Sequence, residues 1–153
     1  MPVIHVAVDH LGRPVVELAV SISSTDRVTQ PTDAVLPPRT VRALVDTGAA
    51  GTHVALGVLE DLQLISLDVI AVYTASTRDY PEVMPLYSVD LSLVGDQPGP
   101  LSRNLRVVGS DRLSGLQVEM LLGRDVLKGC LLIYDGANRR FSLAYNPPTP
   151  TLF

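Results

Sequence analysis

Short runs of β-branched and other apolar residues recur along the whole chain, broken every few positions by Gly, Pro or a charge. Residues 3–8 and 15–22 are two such runs, separated by His10-Leu11-Gly12-Arg13-Pro14. That pattern predicts a hairpin. The polar stretch 23–40 carries Pro31, Pro37 and Pro38 and predicts a long loop. Residues 41–45 form a short apolar strand that runs directly into Asp46-Thr47-Gly48. Within 55–64, Leu56, Leu59 and Leu62 recur at threefold spacing, which predicts a helix. Residues 69–73 return to strand. Residues 86–94 then alternate cleanly, with Tyr87, Val89, Leu91 and Leu93 on one face and Ser88, Asp90 and Ser92 on the other. A period of two marks a half-buried antiparallel strand.

After a Gly-Pro loop, 105–108 and 118–122 read as further strands, the second interrupted only by Glu119. Residues 123–129 predict a short helix ended by a glycine. Strands 131–134 and 141–145 flank Asp135-Gly136-Ala137-Asn138, a strong hairpin signal. The Pro-rich tail 146–153 is expected to be extended. Many short strands and few helices predict an all-β, mainly antiparallel fold. There is no internal repeat, and residues 1–153 are expected to form one domain.

Composition narrows the function classes. Hydrophobic residues make up 46% and charged residues 18% of 153, which argues against disorder. The formal net charge is only −4 and Lys and Arg are scattered, so no nucleic-acid footprint is present. A single cysteine, Cys130, excludes an internal disulfide framework and fits a reducing compartment. The first residues lack the basic segment of a secretory signal, and no apolar stretch is long enough for a membrane-spanning helix. A soluble, cytoplasmic protein that does not engage membranes is expected. His5, His10 and His53 are too dispersed in sequence to suggest a metal site, and no cofactor is expected. His53 lies close to Asp46, either lining a pocket or serving as a solvated or structural side chain.

Of the sixteen acidic side chains, Asp46 occupies the most telling position. A carboxylate at the end of a buried strand is costly unless it is paired, hydrogen-bonded or protonated. Gly48 permits a tight turn with close backbone approach, and Thr47 brings a hydroxyl. Taken alone, Asp-Thr-Gly is equally a turn that caps a strand. A second segment, Met120-Leu121-Leu122-Gly123-Arg124-Asp125-Val126-Leu127, follows roughly 75 residues on, again an apolar strand opening into a short helix.

Together, Leu44-Val45-Asp46-Thr47-Gly48-Ala49 and Leu121-Leu122-Gly123-Arg124-Asp125 resemble the two hallmarks of the retropepsin-like aspartic proteases. The likeness covers roughly residues 3–145, and the helix and hairpin near the end resemble bacterial members and the protease-like domain of ubiquitin-shuttle proteins more than viral enzymes. It implies an acid-protease barrel with one lobe per chain and no cofactor. It also implies an endopeptidase in which Asp46 of two identical chains forms one dyad, acting on peptide or protein substrates. Two carboxylates about 3 Å apart cannot both ionise comfortably, so one keeps a proton and serves as acid while the other serves as base. No second such triplet exists in the chain, so the partner carboxylate must come from a second copy across a two-fold axis.

By the same resemblance, Thr47 braces the paired loops, the Gly48 carbonyl holds substrate backbone, and Gly123 passes beneath the catalytic loop. Ala49 replaces the hydroxyl residue of pepsin-like enzymes, which implies activity at roughly pH 5–6.5. A covering flap is expected in 69–94, its tip within 74–85 and its candidate contacts Tyr73, Thr74, Ala75, Ser76 and Thr77. That tip lacks the glycines of viral flaps. Ala50 replaces a viral acid, so Arg124 needs another partner, with Asp125 or the second chain as candidates. The alternative function is a dimerisation or peptide-binding module that keeps the fold without turnover.

Overall fold

The computed structural model describes residues 1–24, 36–74 and 79–149. Among these residues the chain forms ten strands and two short α-helices. The strands are β1 (Val3–Ala7), β2 (Val15–Ile22), β3 (Arg39–Val45), β4 (His53–Ala55), β5 (Asp68–Val72), β6 (Glu82–Leu93), β7 (Gly99–Ser110), β8 (Met120–Leu122), β9 (Cys130–Asp135) and β10 (Arg140–Tyr145). The helices are α1 (Leu56–Asp61) and α2 (Arg124–Leu127), and a single 3-10 turn occupies Ser114–Leu116.

Six strands close into a mixed barrel in the order β2-β3-β8-β4-β7-β6, with β6 pairing back onto β2. The fold is therefore all-β, as the strand pattern predicts. Two neighbouring pairs, β3–β8 and β4–β7, are parallel, and the other barrel pairs are antiparallel. Strand β5 hangs on the outer edge of β6 as the second arm of a hairpin. The inward residues of the barrel, among them Leu18, Val20, Val54, Val89, Leu91, Met120 and Leu122, are almost fully buried. Phe141 and Tyr145 of β10 join the same core from a separate three-stranded sheet, β1-β10-β9.

Several predicted elements keep their place and change their length. The alternation over 86–94 extends back to Glu82, and β7 begins at Gly99, taking in the Gly-Pro pair read as loop. Long twisted strands absorb such residues through irregular register, and β6–β7 shifts register around Leu91 while Asn104 adopts a left-handed backbone.

The predicted hairpin of the first two strands does not form. Asp9 and Arg13 close the turn through the Asp9 N–H to Arg13 carbonyl bond at 3.0 Å. Beyond it the strands part, β1 to pair with β10 and β2 to enter the barrel. The outer face of β1 is exposed while Ile4 and Val6 reach the barrel core, so β1 gains more by covering the barrel than by widening it. The wedge left between the two strands is a cavity of about 520 Å³. The expected 23–40 loop lies partly outside the described residues, and within it Arg39 and Thr40 already belong to β3. Residues 146–149 follow β10 without regular structure, while 150–153 lie outside the described residues.

Candidate active site

The topology brings the two sequence hallmarks together. Because β3 and β8 are parallel neighbours in the register Val45–Leu122, they end side by side. Asp46 leaves one and Gly123 leaves the other. Strand β4 runs antiparallel to β8, so it starts at the same end and brings Thr52 and His53 to the junction.

Asp46 is held by backbone. Its N–H donates to the Leu122 carbonyl at 3.0 Å, and its carbonyl accepts from the Ala49 N–H at 3.2 Å. The Gly48 N–H donates to Asp46 Oδ1 at 2.9 Å. A side chain added at Gly48 would crowd that same oxygen at 3.1 Å. The carboxyl group is half-buried, while Thr47 and Gly48 are exposed beside it. This leaves Oδ2 outside the bonds that fix the turn, and the turn itself open to a partner or substrate.

The second segment forms the underside of the loop. The Arg124 N–H donates to the Ala49 carbonyl at 2.9 Å, and Arg124 Nη1 donates to the Thr47 carbonyl at 2.8 Å. Arg124 therefore meets a backbone carbonyl of the Asp46 loop and not Asp125, one of the two partners expected for it. Asp125 turns the other way. It accepts from the Thr52 N–H at 3.0 Å, the Thr52 hydroxyl at 2.7 Å and the Val126 N–H at 2.9 Å. The same Thr52 hydroxyl accepts from the Gly123 N–H at 3.1 Å, so one fully buried oxygen joins β4, β8 and α2. A Cβ at Gly123 would lie 2.5 Å from the carbon and oxygen of Gly51, closer than any side chain tolerates.

Thr52 and His53 are the parts of this site that motif reasoning underrates. Thr52 carries a recoverable signal: a hydroxyl that ends a turn next to a buried strand must find partners. His53 is placed by alternation. Thr52 and Val54 on either side are fully buried, so the imidazole faces out of the core. There it stands in a row of cross-strand neighbours, Leu44, Leu121, His53, Val108 and Leu86, that crosses the sheet from the Asp46 loop to the β5–β6 hairpin. Burial pushes the His53 imidazole below its ordinary value, and the Asp125 and Asp46 carboxylates pull part of the way back.

Strands β5 and β6 form a hairpin within the stretch from which a flap is expected, with Val72 opposite Glu82 as its last ladder pair. Tyr73 is exposed and Thr74 half-buried, while Ala75, Ser76 and Thr77 lie outside the described residues. Cys130 is half-buried with its thiol pushed up by burial, which suits packing rather than attack. Among the described residues no group of three or more His, Cys, Asp or Glu side chains is placed to hold a metal ion. No helix among them is long and apolar enough to cross a membrane.

Comparison with solved structures agrees with this architecture. The chain is similar to a retropepsin-like aspartic protease from Rickettsia conorii, with TM-score 0.58 and 15% identity over 94% of this chain and 91% of that one. It also matches the foamy viral protease-reverse transcriptase in complex with RNA/DNA hybrid, with TM-score 0.42 and 14% identity over 75% of this chain and 12% of that one. The fold is that of the retropepsin-like aspartic proteases. No protein-family model and no curated protein matches the chain.

Proposed function

We propose that the chain is an aspartic endopeptidase whose active site forms when two copies bring their Asp46 loops together. The observation that carries this reading is the Asp46 carboxyl group, half-buried at the mouth of a strand with only one oxygen used by its own turn. A loop tied by hydrogen bonds to Leu122 and Arg124 is preorganised, which is what positioning a water between two carboxylates needs. Paired across a two-fold axis, one carboxylate takes a proton from water while the other, protonated, donates to the scissile carbonyl oxygen. The attacked carbon becomes a tetrahedral gem-diol. The proton gained by the base passes to the leaving amine as the C–N bond breaks, and a gem-diol hydroxyl returns its proton to the other carboxylate. Substrate in extended form would add to the edge of the β5–β6 hairpin through backbone bonds, leaving side chains to the apolar row beside Asp46. On this reading the whole of 1–153 acts as one catalytic domain that works at about pH 5–6.5 because Ala49 offers no hydroxyl to lower the dyad.

Mass-spectrometric profiling of a diverse peptide library from pH 4 to 8 tests the proposal with wild type and Asp46→Asn. The asparagine keeps an oxygen for the Gly48 N–H, so the turn survives while the acid–base chemistry does not. Cuts made by wild type and absent from the folded variant support the endopeptidase. A dimeric wild type that cuts nothing overturns it in favour of a peptide-binding module.

A further inference from the structure

Beside Asp46 the sheet presents an apolar surface with one titratable group in it. Leu121 on one side of His53 and Val108 on the other are its direct cross-strand partners, and Leu86 follows Val108. The charged groups that reach the imidazole are both carboxylates, Asp46 on the loop after β3 and Asp125 at the start of α2. Asp125 is already committed to Thr52 and to the Val126 N–H. A substrate side chain laid against this surface therefore meets methyl groups, one imidazole and a negative field.

We infer that His53 selects the substrate side chain that sits next to Asp46, and that the side chain it selects is a carboxamide, Asn or Gln. The inference rests on the aspartic endopeptidase reading and deepens it. A half-buried imidazole whose burial disfavours the cation is mostly neutral at pH 6.5, and a neutral imidazole offers one donor and one acceptor. A carboxamide matches both. A leucine would strip water from the imidazole and leave it unpaired. A carboxylate would add a third acid to Asp46 and Asp125. A lysine would lose its hydration against the apolar Leu121 while Asp125 is already committed to Thr52 and Val126. The methylenes of Gln are long enough to lie on the part-exposed Leu121 while its amide reaches the ring.

The test compares matched peptides carrying Gln, Glu, Leu or Met at each position around the scissile bond, cut at pH 6.5 by wild type, Asp46→Asn, His53→Leu and His53→Gln. Wild type is expected to prefer Gln over Leu and over Glu at one position by about tenfold in kcat/KM. His53→Leu is expected to invert the Gln-to-Leu ratio, and His53→Gln to keep it. A wild type that cuts but favours a carboxamide at no position overturns the inference without any variant. An unchanged ratio in folded His53→Leu does the same, and both leave the protease standing. A wild type that cuts nothing removes the endopeptidase reading itself, and this inference with it.

Discussion

At Gly123 a single hydrogen atom stands where any side chain would meet Gly51 backbone at 2.5 Å. Gly123→Ala is expected to destabilise the fold by about 3 kcal/mol, since neither backbone segment can give way without losing the Asp46 loop. Gly57, in α1, has open space around it, and Gly57→Ala is expected to stabilise by up to about 1 kcal/mol. Urea denaturation of both variants checks the pair, and equal midpoints would refute the packing argument. His53 makes a separate prediction about pH. Its folded value lies below the unfolded one, near 6.5, so the neutral ring is favoured by folding. Its contribution to stability is complete above the unfolded value and is lost as pH falls through the folded one. His53→Gln should therefore flatten the decline in stability between about pH 7 and 5. Parallel slopes for wild type and variant would mean the ring is solvated. Sequence made the Asp46 turn visible because glycine and acid are unusual after a buried strand. It left His53 undecided, since only cross-strand register reveals which side of β4 the ring occupies.

Between elements, the fold was legible where neighbours in sequence are neighbours in space. The β9–β10 hairpin follows from its Asp-Gly-Ala-Asn turn, and the Asn138 side chain and N–H do hold Asp135. The alternation of β6 likewise shows which side faces the core. Partner choice was not legible. Residues 3–8 read as one arm of a hairpin with 15–22, and the pairing with β10 instead rests on burying Ile4 and Val6 against a barrel that local pattern does not display. The junction of β4, β8 and α2 was hidden for the same reason, because Thr52 and Asp125 lie 73 positions apart. That junction makes a sharp prediction. Thr52→Val keeps shape and removes the hydroxyl, leaving the buried Gly123 N–H without its acceptor and Asp125 short of a donor. A loss of about 2 kcal/mol is expected. Asp125→Asn weakens the same contacts, so the double variant should lose clearly less than the two single losses combined. Strict additivity in denaturant titrations would show that the two residues act independently.

For the molecule as a whole, the two-copy active site proposed above raises the question of where a second copy would dock. Two exposed apolar surfaces compete. The β5–β6 hairpin shows Val69 and Val83, and the outer face of the three-stranded sheet shows Val3, Leu131 and Ile133. On that outer face Val3, Ala144 and Leu131 are cross-strand neighbours, with Ile133 one step along β9. Leu131 and Ile133 are 58% and 55% exposed on a strand whose second edge carries no neighbour among the described residues. An unpaired edge bearing apolar side chains is a ready template for another strand, and a symmetric pairing of β9 with its copy uses that edge on both chains at once. On the endopeptidase reading the hairpin, in contrast, would have to remain free to admit substrate. Ile133→Lys is therefore expected to weaken self-association at least tenfold by sedimentation velocity while leaving the circular dichroism spectrum intact. Val69→Lys is expected to leave association unchanged. On that reading specific activity should fall with dilution in wild type, so that total activity falls faster than linearly, and in Ile133→Lys this fall should begin at much higher concentration. Should Val69→Lys yield the monomer instead, copies meet through the hairpin. The two Asp46 loops would then have to find each other by a different two-fold axis.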